Sequence, residues 1–104
     1  GALLELNPTT YEVKYLGKPF PGIRMPGLAL DKDGNVLMCG GSDGAPYVAR
    51  FDIVNRTISS LGQVIAEDGT ACFRCHEIIV IDNKAYVAET DNPERSALLW
   101  EIEL

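Results

Sequence analysis

The amino-acid sequence predicts an all-β fold of four-stranded antiparallel meanders. Three observations support this prediction: the chain repeats itself every 45 to 50 residues, short apolar or alternating segments are separated by turn signals, and no segment sustains helical periodicity. With 104 residues, 46% of them hydrophobic and 23% charged, the chain is long enough for one modest hydrophobic core.

Residues 3–17 form the first repeated segment, which aligns with residues 48–62 at an offset of 45. Apolar residues align with apolar ones and turn residues with turn residues, as expected when two segments build the same supersecondary unit. The aligned pairs include Leu6 with Phe51, Asn7 with Asp52, Val13 with Ile58, Leu16 with Leu61 and Gly17 with Gly62.

A second alignment joins residues 23–43 to residues 73–91 at an offset of 50, and it pairs Arg24 with Arg74. The closing segment 98–104 is a third copy of the chain start. Repeats of this length are typical of propeller blades, which are four-stranded sheets arranged around an axis.

Turn signals divide the repeats into strands. Asp33-Gly34-Asn35 and Asp82-Asn83 indicate tight turns, and the continuously apolar residues 36–39 and 78–81 indicate inner strands covered on both faces. Residues 47–53 alternate instead, which predicts an outer strand with one wet face. The predicted strands cover about residues 28–31, 35–41, 47–54, 57–62, 77–82, 84–90 and 97–104.

Residues 36–62 resemble a kelch-like or sialidase-like blade. The resemblance rests on Gly40-Gly41 at the end of an apolar strand, then Asp43-Gly44, then Phe51-Asp52, with Ile58 as a further apolar anchor. It implies a propeller of that class. The next copy departs from the pattern, since Glu89-Thr90 replaces the glycine pair.

This reading divides the chain into about two and a fraction blades: the end of one blade at 3–17, a full blade at about 23–64 and a partial blade at about 73–104. Such a number cannot close a ring. We therefore expect a terminal fragment of a longer propeller or, alternatively, copies that assemble into a ring through exposed blade faces.

The net charge of −6 argues against a nucleic-acid partner, because phosphates would be repelled. No apolar run approaches the roughly 20 residues that cross a bilayer, so no membrane partner is expected. Three cysteines leave the compartment open, and we favour a secreted or periplasmic location.

Cys72-x-x-Cys75-His76 has the spacing that attaches a c-type haem covalently. The motif runs into a β-branched, strand-like segment, whereas small cytochromes usually place it at the start of a helix. We therefore expect no cofactor and no metal, with buried free thiols or a disulfide as the simpler reading. Haem c stays as a minor alternative.

Arg24 and Arg74 occupy the same place before the first strand of successive repeats. If the resemblance holds, they lie at the axial mouth of a propeller, where a pair of guanidinium groups would bind carboxylates or sulfates. His76 would then be a candidate general base. The further candidates for binding a substrate are Glu77, Glu89, Asp91 and Tyr86.

Two functional hypotheses follow. The first is a propeller that binds or processes an anionic oligosaccharide; if it is an enzyme, which the sequence leaves undecided, the type would be a polysaccharide lyase or a glycoside hydrolase. The second is a non-catalytic kelch-like module in which loops such as 41–46 and 91–97 contact a protein partner. The structural alternative for Arg24 and Arg74 is that they only pair with carboxylates of a neighbouring blade.

Overall fold

The computed structural model describes residues 1–104 as nine β-strands in three antiparallel sheets, without any helix. The predicted all-β, antiparallel class is confirmed. No helix is present that could cross a membrane. The strands are β1 (Leu3–Leu6), β2 (Val13–Gly17), β3 (Gly27–Leu30), β4 (Val36–Ser42), β5 (Ala45–Asp52), β6 (Thr57–Gln63), β7 (Cys75–Ile81), β8 (Lys84–Glu89) and β9 (Leu99–Glu103).

The three sheets contain strands that are consecutive in the chain. The first sheet is β1-β2, the second is β3-β4-β5-β6 and the third is β7-β8-β9. Aspartates shape two of the turns in the second sheet. Asp31 accepts hydrogen bonds from the amides of Asp33 and Asn35, and Asp52 accepts them from the amides of Val54 and Asn55.

Two apolar clusters join the sheets face to face. One lies between the first and second sheets and is formed by Leu3, Phe20, Met38, Ala49 and Phe51. The other lies between the second and third sheets and consists of Leu37, Cys39, Val48, Val64, Cys72, Cys75, Ile78, Ala85, Val87 and Trp100. The second sheet is therefore covered on both faces, and it supplies the centre of the molecule.

This stacking changes two strand assignments. The segment predicted to have one wet face, β5, buries Val48 on one face and Ala49 and Phe51 on the other, because sheets lie on both sides of it. The segment predicted to be covered on both faces, β7, leaves Ile79 and Ile81 about half exposed, because no sheet of this chain lies beyond the third.

The first sheet is held to the second by a close side-chain contact and an ion pair. Ile58 Cδ1 lies so near Gly17 that a β-carbon built there would be 2.8 Å away. The Arg56 guanidinium donates to both carboxylate oxygens of Glu5 at 2.7 and 2.9 Å. The outer part of the second sheet thus packs against the first sheet.

The antiparallel connections place one set of loops together at one end of the stack. We call this end the arginine edge; it comprises residues 18–26, 43–44, 64–74 and 90–98. Gly40 and Gly41 bring the first of these loops against the end of β4, where the Gly41 amide donates to the Arg24 carbonyl at 3.0 Å.

Candidate functional site

At the arginine edge, Arg24 and Arg74 converge on one carboxylate, that of Asp43. Arg74 donates two parallel hydrogen bonds to this carboxylate, from Nε at 2.7 Å and from Nη2 at 2.5 Å. Nη1 of Arg24 lies 3.9 Å from the same carboxylate. The repeat that aligned the two arginines thus corresponds to real proximity, with an acidic residue between them.

Asp91 completes this arrangement from the third sheet. Its carboxylate accepts a bond from Arg74 Nη1 at 2.8 Å, and its backbone has the left-handed φ of 57° that aspartate tolerates better than most residues. Asp43 and Asp91 raise the pKa of Arg74, and the bond from Arg74 lowers the pKa of Asp43. Two arginines and two aspartates cancel in formal charge, so the group carries no net positive charge with which to attract an anion.

A shallow cleft of about 200 Å³ opens beside this ion-pair network. Its two walls are continuous with the two aspartates, because Gly44 follows Asp43 and Asn92 follows Asp91. The Gly44 amide donates to the Phe73 carbonyl at 2.6 Å. Because Arg74 binds both Asp43 and Asp91, it holds the two walls of the cleft in position. The lining residues are Gly44, Ala71, Cys72, Phe73, Asn92, Pro93 and Glu94.

Glu89 is the best-satisfied carboxylate in the molecule. Its side chain is fully buried and forms an ion pair with Arg95 at 2.7 Å. Arg95 also donates to the Ala71 carbonyl, which ties the loop after β8 to the loop before β7. The carboxylate also accepts hydrogen bonds from the Phe73 amide, Asn92 Nδ2, the Leu98 amide and Trp100 Nε1, at 2.9 to 3.2 Å.

These bonds decide the ionisation of Glu89. Burial alone would raise the pKa of this carboxyl, but the bonds from Arg95, Asn92 and the two backbone amides lower it to about 2. Glu89 is thus an ionised carboxylate with all of its bonding positions directed at the protein. It lies beside the cleft and holds the 90–98 loop through its bonds to Asn92, Arg95 and Leu98. It does not pair with Arg24 or Arg74.

None of the other three candidate residues is bound by Arg24 or Arg74. His76 is exposed, and its imidazole makes no hydrogen bond within the protein. Glu77 is exposed too, and its Oε1 accepts from the Ile78 amide at 3.0 Å. Tyr86 lies in the middle of β8 opposite Ile79, where burial and then a hydrogen bond to Glu101 raise its pKa. Of the predicted set, the structure brings together Arg24, Arg74 and Asp91.

The Cys-x-x-Cys-His motif begins on the loop before β7, with Cys72, and ends on the first two residues of that strand, Cys75 and His76. All three cysteines are free and buried in the core between the second and third sheets. Two core thiols and an exposed imidazole do not fit a covalently attached haem, which needs both sulfurs and the histidine on one porphyrin. No group of three or more His, Cys, Asp or Glu side chains is arranged to hold a metal ion.

We expect the native thiols to resist an aromatic disulfide reagent. A hydrogen bond to Cys39 and burial raise the pKa of Cys75 to about 12, so this thiol is protonated near pH 8. A hydrogen bond to Cys75, together with burial, also raises the pKa of the Cys72 thiol. Thiol titration should therefore detect none of the cysteines in the native chain and all of them in denaturant. Rapid labelling of the native chain would contradict the burial described here.

Sequence reasoning missed three residues that build this edge: Asp43, Asn92 and Arg95. The sequence presents Asp43 only as part of the Asp43-Gly44 pair of the blade pattern, although its position between two aligned arginines could suggest a shared counter-ion. Asn92 and Arg95 appear there only as members of the loop 91–97. Their role depends on Glu89, whose inward orientation is signalled by its alternation with the buried residues Ala85 and Val87.

No protein-family model matches the chain, and neither a curated protein nor a solved structure matches it.

Proposed function

We propose that the chain is a run of kelch-like propeller blades that serves as a non-catalytic binding module, with the cleft at the arginine edge as its contact surface. The observation that carries this proposal is the double attachment of Arg74. By binding Asp43 and Asp91 together, Arg74 holds the two walls of the cleft in one arrangement before any partner arrives. A preorganised surface loses less conformational entropy on binding.

The architecture supports the propeller part of the proposal. The second sheet is a four-stranded antiparallel meander in chain order, which is the construction of a blade. Its first strand, β3, packs next to β7, the first strand of the third sheet. Equivalent strands that lie side by side in successive stacked sheets are what blades around a common axis require.

The size and the lining of the cleft support a protein partner. At about 200 Å³ it is smaller than the roughly 300–1,000 Å³ typical of small-molecule sites, and a single inserted side chain suits it better. Its floor contains Phe73 and Cys72, and its rim carries Asn92 and Glu94. An apolar floor with a polar rim is the usual construction of a protein contact surface.

The contacts also favour binding over catalysis. Glu89 is held ionised with a pKa of about 2, far from the range of a general acid at neutral pH. Arg74 directs its bonds at two carboxylates of the protein. No acid and base are therefore assembled around a common point at this edge.

Anionic carbohydrate binding is a second candidate, and Arg24 is the observation that favours it. Its only ionic contact is the long one to Asp43, and more than a third of its side chain is exposed. Its remaining guanidinium donors could therefore bind a carboxylate or sulfate of a sugar.

A displayed library of linear peptides, selected on the immobilised chain, tests the module. We expect selected peptides to lose binding to Glu94→Lys, because this change reverses a charge on the cleft rim. They should retain binding to Asp33→Lys, the matched control, which makes the same change in the turn between β3 and β4 at the opposite end. Neither side chain makes a hydrogen bond of its own.

Two results would contradict the module. One is that peptides bind both lysine variants equally, which would place the contact surface elsewhere. The other is that the chain binds polygalacturonate, a polyuronate, and loses this binding in Arg24→Gln while selecting no peptides. That outcome would establish the carbohydrate candidate instead.

A further inference from the structure

The cleft at the arginine edge is bounded by loops that each connect two strands. Residues 43–44 join β4 to β5, residues 64–74 join β6 to β7, and residues 90–98 join β8 to β9. Its walls and floor are therefore anchored at both ends, and no free sheet edge contributes to it. The bonding positions that its lining leaves open determine which kind of group it can bind.

Most hydrogen-bond donors in the lining are already used within the protein. Those in use are the main-chain amides of Gly44, Cys72, Phe73 and Glu94 and the side-chain amide of Asn92. Only the main-chain amides of Ala71 and Asn92 make no hydrogen bond. A carboxylate or a sulfate, which needs donors, therefore finds few partners inside this cleft.

The hydrogen-bond acceptors in the lining are mostly open. The Glu94 carboxylate is exposed, accepts no hydrogen bond and belongs to no ion pair. The main-chain carbonyl groups that accept no hydrogen bond from the chain are those of Gly44, Cys72, Asn92 and Pro93. A lining with open acceptors and few free donors favours a group that donates hydrogen bonds.

The charges of the arginine edge favour a cation. Each arginine has a carboxylate partner within the chain, and the pairs are Arg24 and Arg74 with Asp43, Arg74 with Asp91, and Arg95 with Glu89. The other charged residues of this edge are Lys18, Glu67, Asp68 and Glu94. These four comprise one positive and three negative charges, in a chain whose net charge is −6. Such a surface attracts basic groups and repels acidic ones.

The apolar part of the cleft distinguishes between kinds of side chain. Phe73 and Pro93 offer apolar surface, and Glu94 offers a carboxylate beside it. A purely aliphatic side chain would cover the apolar surface but would leave the neighbouring oxygen atoms without a partner. Lysine and arginine have both an apolar stem and a charged head that donates hydrogen bonds, so they match both parts of the lining.

We propose, resting on the binding function proposed for this cleft, that it takes a basic side chain, lysine or arginine, of the partner protein. The methylene stem of this side chain packs on Phe73. Its charged head donates hydrogen bonds to the Glu94 carboxylate and to the open carbonyl groups of the lining. The partner is therefore recognised by an exposed basic residue.

Four displayed libraries of nine-residue peptides test this proposal on the immobilised chain. The central residue is fixed as lysine, arginine, methionine or glutamate, and the other eight positions contain only uncharged residues. We expect the lysine and arginine libraries to yield peptides that bind the wild-type chain and lose binding to Glu94→Lys. We expect no such peptides from the methionine and glutamate libraries.

A double-mutant cycle on one selected lysine peptide tests the contact itself. Glu94→Gln removes the carboxylate charge at constant size, and methionine in place of the central lysine removes the ammonium group. Each change alone should weaken binding about tenfold, and the two together little more than either, because both remove the same contact. Asp33→Asn, the matched control at the opposite end, should keep the wild-type affinity.

Three results would overturn the basic side chain. One is that cleft-binding peptides come from the methionine or glutamate library and not from the other two. Another is that the two changes of the cycle weaken binding independently. The third is that Glu94→Gln and Asp33→Asn weaken it equally, which would reflect only the net charge. In each case the binding module would still stand, whereas it fails if no peptide distinguishes Glu94→Lys from Asp33→Lys.

Discussion

Replacing Glu89 with alanine is expected to lower the free energy of unfolding by about 3–5 kcal/mol, the cost of removing one partner from a buried ion pair. The Arg95 guanidinium would be left beside a cavity, and Trp100 Nε1 and the amides of Phe73 and Leu98 would lose their acceptor. Denaturant unfolding followed by Trp100 fluorescence measures this loss. Most small domains have only about 5–15 kcal/mol in total, so the variant should be close to unfolded.

The same carboxyl should make the wild-type chain sensitive to acid. Its pKa is about 2 in the folded chain, against an ordinary value of 4.5, so the unfolded chain binds more protons between these values. The contribution of Glu89, about 3 kcal/mol, is therefore complete above about pH 4.5 and is lost as the pH falls toward 2.

Glu94→Ala is the matched control, since Glu94 lies exposed in the same loop and its carboxylate makes no hydrogen bond. It should change the stability by no more than about 0.5 kcal/mol. If Glu89→Ala proved as stable as Glu94→Ala, or if its stability kept the acid dependence of the wild type, the network around Glu89 would not hold the loop as described.

Replacing Gly40 with alanine is expected to cost about 3 kcal/mol or more, at the upper end of overpacking changes. A β-carbon at this position would collide with the Arg24 carbonyl oxygen and come within 3.0 Å of Met25 Cα and of the Phe20 ring. Two of these neighbours are backbone and cannot rotate away. The loop 18–26 would have to move off β4, and with it the hydrogen bond from the Gly41 amide to Arg24.

Thermal unfolding of Gly40→Ala beside Ser59→Ala measures this effect. Ser59 lies on the exposed side of β6 and makes no side-chain hydrogen bond, so its variant should unfold at nearly the wild-type temperature. An alanine at position 40 that leaves the melting temperature unchanged would mean that the loop and β4 are not in the close contact described.

Much of the fold could be predicted from the sequence because strand and turn signals are local. Asp33-Gly34-Asn35 and Asp82-Asn83 mark turns that the structure contains, and the predicted strand boundaries agree with the observed ones within about two residues. It was harder to predict which strand faces are covered by a neighbouring sheet. Residues 78–81 are continuously apolar, but only one face of β7 is packed, because whether an apolar face is covered depends on a neighbouring sheet and not on the strand itself.

Less of the candidate site could be predicted. The internal repeat indicated that Arg24 and Arg74 are equivalent, and the structure shows them on one carboxylate. The repeat could not show that Asp43 would be that carboxylate. Asp43 and Arg74 are 31 positions apart in the chain, and they meet only through the packing of two sheets. The sequence offers Glu89 as a substrate-binding candidate because it is an acidic residue in the same predicted blade as Arg74. Its five hydrogen-bond partners come from two separate parts of the chain, Phe73 and residues 92–100, a convergence that no local pattern reveals.

The layered construction has a consequence for how the molecule comes apart. Each sheet is made from one continuous stretch of chain, so the two-stranded layer of β1 and β2 can detach without breaking a hydrogen bond in the layers beyond it. The layer of β3 to β6, enclosed between two neighbours, is the last to lose its protection. Unfolding would then begin with β1 and β2 at the amino-terminal side. The local free energy of unfolding would therefore differ between the three sheets.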